Sequence, residues 1–163
     1  MRFWIWSILC LLRVPLTAQE TKFTIVEENA NRIIIDIQFG KMESSVVKTN
    51  QGDQLKMHIQ GGTPLLQMGF PDLPKVHFSL QIPNEKNTTI KILHSKYTDQ
   101  LGYAIAPSKG SMSRTIKPND VPFVYNELYQ KNAFYPAKLA YLNEPYILRH
   151  RRGQTVHVLP AQY

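Results

Sequence analysis

Residues 61–83 read GGTPLLQMGFPDLPKVHFSLQIP, and their reading decides the fold class. The pair Gly61-Gly62 opens the stretch, and Pro64, Pro71 and Pro74 punctuate it. Proline fixes φ, has no N–H to donate and pushes the residue before it toward an extended shape. A segment built this way can be neither a helix nor the middle of a sheet. It predicts a rigid, extended lead-in that delivers the chain into a strand. In that strand Val76, Phe78, Leu80 and Ile82 alternate with Lys75, His77, Ser79 and Gln81, and the pattern stops at Pro83. On these residues alone the stretch is architecture: Gly69, Pro71 and Pro74 are expected to hold the fold, not to touch a partner.

The chain on either side continues in the same idiom. Residues 22–28 (KFTIVEE) and 32–39 (RIIIDIQF) flank a turn and predict a hairpin. Residues 44–49 and 55–59 flank a second turn at 50–53. Beyond Pro83, a turn over 83–87 leads to an alternating strand over 88–97 and a shorter one over 101–106. Two last strands, 144–149 and 154–159, bracket a basic turn. Residues 126–132 have room for one helical turn, and no stretch carries a long amphipathic helical period. Short strands at regular spacing predict an all-β fold, a β-sandwich of jelly-roll type with little helix.

The first eighteen residues stand apart. Arg2 precedes an apolar run containing Trp4, Trp6, Ile8 and Leu9, and Leu16-Thr17-Ala18 sets a small residue before Gln19. This is the pattern of a secretory signal peptide cleaved after Ala18, too short in its apolar part to be a stable membrane span. Removing 18 of the 163 residues leaves 145, one domain's worth, and takes away Cys10 and both tryptophans. The expected mature domain then has no thiol and no disulfide, so packing alone must hold it. Without the leader, basic residues fall from 19 to 17 against 12 acidic ones. That mild excess is scattered except at Arg149-His150-Arg151-Arg152, and with no basic helix or aromatic-basic platform it excludes nucleic acid as the expected partner.

Catalytic constellations are lacking. The mature chain has no cysteine nucleophile and no G-x-S-x-G elbow, and His58, His77, His94, His150 and His157 lack metal-ligand spacing. No enzyme activity, metal or cofactor is expected. Residues 107–122 (PSKGSMSRTIKPNDVP) form a long, polar, proline-punctuated loop, the best candidate for an exposed functional segment. Lys109, Ser113 and Arg114 are the side chains it would offer a partner. A secreted adhesion or carbohydrate-binding module is the alternative, and it requires Phe123, Tyr125, Tyr129 and Tyr135 to be exposed as a platform.

Four blocks in order carry a family resemblance: Gly69-Phe70-Pro71-Asp72-Leu73-Pro74, with its G-x-P-x-L-P pattern; Ile105-Ala106-Pro107-Ser108-Lys109-Gly110; Ala133-Phe134-Tyr135-Pro136 with Lys138-Leu139; and Pro145 to Arg149 followed by Arg152 to Val156, closing on Pro160-Ala161-Gln162-Tyr163. Together they resemble the gingipain-type propeptide, the N-terminal pro-domain of bacterial caspase-like cysteine peptidases, over residues 22–163. The resemblance implies a β-sandwich of jelly-roll type, exported by a bacterium through the periplasm to the surface or medium by the type nine route. It implies a module that assists the folding of a cysteine peptidase and covers its active-site cleft until proteolysis removes it. Carried onto this chain, the covering loop is 107–122, with Lys109 or Arg114 as the cation facing the specificity pocket and Arg114 preferred. Arg149, Arg151 and Arg152 are candidate processing sites, against the competing reading of a β-hairpin turn. Family precursors continue into a peptidase domain. Residues 19–163 are therefore expected to be a propeptide domain incomplete at its C-terminus, acting on a catalytic domain in cis in a longer precursor or in trans.

Overall fold

The computed structural model describes residues 20–84, 87–100 and 102–163. The expected leader at 1–18, Cys10 included, lies outside them, and so does part of the turn expected at 83–87. The described chain is all-β with almost no helix. Its strands are β1 (Lys22–Glu28), β2 (Ile33–Gln38), β3 (Met42–Thr49), β4 (Gly52–Ile59), β5 (Thr63–Pro64), β6 (Pro74–Gln81), β7 (Ala140–Leu142), β8 (Tyr146–Leu148) and β9 (Arg151–Val158). Two short 3-10 turns, Pro118–Asp120 and Glu127–Gln130, are the helical elements among these residues.

Both expected hairpins form. β1 pairs antiparallel with β2, with an irregularity between Ile25 and Glu27. β3 pairs antiparallel with β4 from Met42↔Ile59 to Thr49↔Gly52, leaving the two-residue connection Asn50-Gln51. Gly52, at φ +102°, supplies the left-handed conformation this tight turn needs. The third sheet runs β5-β6-β9-β7, and β8 shares the β7 edge of β9. β6 begins at buried Pro74 and turns Val76 and Phe78 inward while His77 and Ser79 face out, the alternation its sequence dictates. The three sheets are small, and none closes on itself among the described residues.

The core lies under the proline-rich stretch. Leu73, Ile105 and Tyr135 form its centre, with Leu55, Met57, Leu65, Phe70, Leu128, Ala161 and Tyr163 packed around them. Leu73, Pro71 and Pro107 are the largest fully buried side chains. Residues 104–108 thread between β4 and the stretch 70–72. Leu55 exchanges backbone bonds with Ala104 and Ala106 at 2.8 Å, the Asp72 N–H donates to Ala106 O at 2.9 Å, and the Ser108 N–H donates to Phe70 O at 2.7 Å. The C-terminal residue Tyr163 pairs reciprocally with Tyr135, at 2.8 and 2.7 Å.

Two expected strands are absent as strands. Residues 88–97 run exposed, with no ladder to any described residue, and of the strand expected over 101–106, whose first residue lies outside the described ones, 102–106 shows an isolated parallel bridge between Leu55 and Ile105. One edge of β6 is taken by β9, and the Ile82 N–H is bonded to Arg152 O at 2.9 Å, while the other edge is paired with β5 only at Pro74 and Lys75, so among the described residues 88–97 leaves a free edge of β6 unused.

Candidate functional site: the loop over residues 107–122

The loop leaves the core at buried Pro107 and Ser108 and returns at Phe123 to Asn126. Its outgoing limb is fixed first by a local bond, the Gly110 N–H donating to Ser108 Oγ at 3.2 Å. Gly110 sits at φ +77°, and a Cβ there would stand 3.2 Å from Met68 Cβ, so both the backbone angle and the space favour glycine. Lys109 then crosses to the returning limb. Its Nζ donates to Pro118 O at 2.7 Å and lies 4.2 Å from the centre of the Phe123 ring.

At the far end the Ile116 N–H donates to Ser113 O at 3.0 Å, closing a reverse turn, and Ser113 and Thr115 hydroxyls share a bond of 3.0 Å across it. Arg114 is the second residue of that turn and is exposed. Of the two cations expected to face a partner, Arg114 is thus presented at the tip, with exposed Lys117 three residues on, while Lys109 ties the two limbs together at the root. Ser113 serves the turn with its hydroxyl and its carbonyl. Sequence alone brings all three into one loop; the structure separates their tasks.

The returning limb is held by polar partners from two other elements. The Asn126 N–H donates to Gly69 O at 2.9 Å, and the Gly69 N–H donates to Ser108 O at 2.9 Å, so Gly69 lies between the two limbs. Gly69 has φ +81° and its Cα faces Val124 O and Asn126 N, at 3.5 Å from where a Cβ would stand. The Tyr125 hydroxyl donates to Gln54 Oε1 at 2.8 Å and lies 2.9 Å from Thr49 Oγ1, joining the limb to the β3–β4 turn. The Asn126 side chain then accepts from the Leu128 N–H at 3.0 Å and caps the turn Glu127–Gln130.

Of the aromatic residues that follow, Tyr125, Tyr129 and Tyr135 pack inward, whereas Phe134 is exposed. Tyr125 and Tyr129 meet edge to face at 5.0 Å, Tyr129 reaches Tyr163 at 5.4 Å, and Phe70 lies 5.0 Å from Tyr135. The Tyr129 hydroxyl donates to Ile105 O at 2.9 Å, and burial, reinforced by Tyr163, Tyr125, Asp72 and Tyr135, pushes its pKa well above the ordinary phenol range. Burial raises Tyr135 as well, followed by Tyr141 and Asp72. Rings that pack and bond in this way do not make the open platform that an adhesion or carbohydrate-binding module requires.

The basic cluster is a hairpin turn. Leu148 pairs with Arg151, which leaves Arg149-His150 as the connection between β8 and β9, with Arg149 at φ +57°. Arg151 Nη1 donates to Gln81 Oε1 at 2.8 Å, and Arg152 Nη1 donates to the carbonyls of Pro83 and Asn84 at 3.1 and 3.0 Å. These are positions in a ladder, anchored across to β6 and the residues after it.

The model of the family Propeptide_C25 matches residues 18–163. Gingipain R1 of Porphyromonas gingivalis is 32% identical over 138 residues, covering 83% of this chain and 14% of the relative. Lys-gingipain of the same species is 24% identical over 159 residues, 93% of this chain and 9% of the relative. The chain thus spans a small fraction of the length of the curated relatives it matches. Among solved structures, the complex of Porphyromonas gingivalis RgpB pro- and mature domains aligns with TM-score 0.82 and 28% identity, over 86% of this chain and 74% of that one. The structure on zymogenic latency of gingipain K from the same species shares the fold, with TM-score 0.70 and 24% identity over 91% of this chain and 85% of that one.

Proposed function

The chain belongs to the Propeptide_C25 family, and from that membership we propose that it is the pro-domain that keeps a gingipain-type cysteine peptidase latent and helps it fold, on an exported bacterial precursor. The loop over 107–122 covers the peptidase's active-site cleft, and Arg114 enters the specificity pocket. One observation carries this reading: Arg114 stands at the tip of a closed reverse turn, on a loop whose root is tied by Lys109, Gly69 and Tyr125. A side chain presented this way loses little conformational freedom on binding. A carboxylate in the pocket would take the guanidinium through two parallel bonds, which a lysine cannot reproduce. The jelly-roll sandwich is the arrangement that the free edges of the three small sheets would complete.

Removal of the domain follows cleavage after a basic residue. Arg149, Arg151 and Arg152 serve only once the β8–β9 hairpin opens, because a protease binds its substrate extended and these residues lie in a tight turn and a ladder. Titrating the full chain against mature Gingipain R1 tests the inhibitory reading. Inhibition is expected for the wild type, and Arg114→Ala should weaken it on the order of a hundredfold, as for loss of one partner of a buried charge pair. Undiminished inhibition by the double variant Lys109→Ala, Arg114→Ala would remove this loop from the mechanism.

A further inference from the structure

Beside the root of the loop lies a feature that folding does not explain. Leu66 adopts φ +58°, a left-handed conformation that strains a branched side chain and that glycine or asparagine takes readily. Its side chain is not held there by the core, being 47% exposed, whereas the preceding Leu65 packs inward and bonds through its N–H to Leu73 O at 3.0 Å. Residues 67–70 then form a turn, with the Phe70 N–H donating to Gln67 O at 3.2 Å and Gly69 at φ +81° in its third position, the signature of type II. Met68, at the second position, is 58% exposed. Gln67 remains exposed, and its Oε1 accepts from the Tyr135 hydroxyl at 2.8 Å.

We infer that Leu66 and Met68 form an apolar pad on which the peptidase's catalytic domain seats, alongside the loop that carries Arg114. The inference rests on the latency function proposed above and adds to it a second contact outside the cleft. Scattered exposed apolar residues are ordinary on a protein surface. An exposed leucine that is also strained gains nothing from its site in the free protein, and strain of this kind collects where a partner is clamped. The occupant follows from the connectivity. The turn is bonded to both limbs of the loop, through the Gly69 N–H to Ser108 O and through Gly69 O to the Asn126 N–H. Met68 lies directly against Gly110, and exposed Val124 stands beside the turn on the returning limb. A surface that seats the loop's root reaches this turn as well.

The test measures binding of the full chain to mature Gingipain R1 whose catalytic cysteine is replaced by alanine, for the wild type, Leu66→Asn, Leu66→Gly, Met68→Ser and Arg114→Ala. Thermal melts and sedimentation of each free chain accompany it. Leu66→Asn and Met68→Ser should raise Kd about tenfold each. The melting temperature of Leu66→Asn or Leu66→Gly should stay level or rise, because the strain is relieved. If Arg114→Ala has lost binding while the Leu66 and Met68 variants bind like the wild type, the pad is wrong and the loop stands. Wild type that does not bind overturns the latency reading and the pad with it, whereas Arg114→Ala that binds undiminished removes Arg114 from the contact and leaves the pad to be decided by the Leu66 and Met68 variants. Self-association of the wild type that Leu66→Asn abolishes would assign the pad to a second copy and overturn the inference.

Discussion

Lys109 donates its ammonium to the carbonyl of Pro118 at 2.7 Å, joining the outgoing limb of the loop to its return. The same group lies over the Phe123 ring, a contact worth about 0.5–1 kcal/mol at a partly exposed site. The bond orders the loop without supporting the core, so Lys109→Ala should separate the two. Its urea midpoint should move by less than about 1 kcal/mol equivalent. Its loop should open, and inhibition of the peptidase should fall about three- to tenfold, less than for Arg114→Ala, because ordering is lost and no charge pair is broken. Equal losses for the two variants would show that Lys109 itself meets the partner.

The proline-rich stretch should behave as core. Leu73 is 2% exposed at the centre of the main cluster, and Leu73→Ala should cost about 2–5 kcal/mol of unfolding free energy in a denaturant titration. Leu93, 66% exposed in the segment without a ladder, serves as the control, with Leu93→Ala changing stability by less than about 0.5 kcal/mol. Gly69→Ala should cost about 1 kcal/mol or more, since it demands a left-handed alanine against the backbone of Val124 and Asn126.

What the sequence makes legible follows from where each pairing partner lies. β1–β2, β3–β4 and β8–β9 join neighbours across short turns, so β-branched alternation and a turn signal suffice to find them. Residues 88–97 carry the same alternation, with Ile90 and Ile92 two apart, yet period 2 reports only which side chains share a face and says nothing of which strand pairs with which. β6 makes its ladder with β9, more than seventy residues away at every pair. The burial of 105–108 is equally hidden, because Ala106 and Pro107 show no period. In the loop, composition marks 107–122 as exposed and basic. Only the fold reveals that Phe123 and Pro118 return to Lys109 while Arg114 stays exposed in the turn at the tip. Leu66 could not be singled out at all, since nothing in its neighbours' identities announces a left-handed backbone.

His157 should make the domain's stability depend on pH. Its ring is buried on β9, stacked on Tyr141 of β7 at 4.8 Å and 17°, with His77 of β6 5.7 Å away on the other side. Nδ1 has no bonding partner among the described residues. Burial, then Lys75 and His77, hold its pKa below the ordinary imidazole range. Between that value and the unfolded one, about 6.5, the unfolded chain binds more protons than the folded chain. The contribution of neutral His157 is therefore complete above about pH 6.5 and is lost as pH falls through the unfolded value toward the folded one. Urea midpoints should decline from about pH 7.5 to about pH 5, and His157→Phe, which keeps the stack on Tyr141, should flatten the decline. A decline unchanged in that variant would place the sensitivity elsewhere.

Limited trypsin digestion should distinguish the tip of the loop from the hairpin. Trypsin binds several residues in extended form, so the site it cuts first is one whose backbone can leave its present bonds at low cost. Arg114-Thr115 lies in a surface turn closed by a single backbone bond. Lys117-Pro118 resists cleavage because the residue after the bond is proline. Arg151 and Arg152 are locked by the β8–β9 register and by bonds to Gln81, Pro83 and Asn84, and Arg149 sits in the two-residue turn that this register closes. Cleavage after Arg114 should therefore precede any in the basic cluster, alongside early cuts after Lys91 and Lys96 in the exposed segment without a ladder, and mass spectrometry of the early fragments reads the order directly. Lys109→Ala should accelerate that nick by loosening the loop's root, and bound peptidase should suppress it by covering the tip. Early cleavage after Arg149, Arg151 or Arg152 in the wild type would mean that the hairpin opens more readily than its ladder implies, and would make that turn the first processing site.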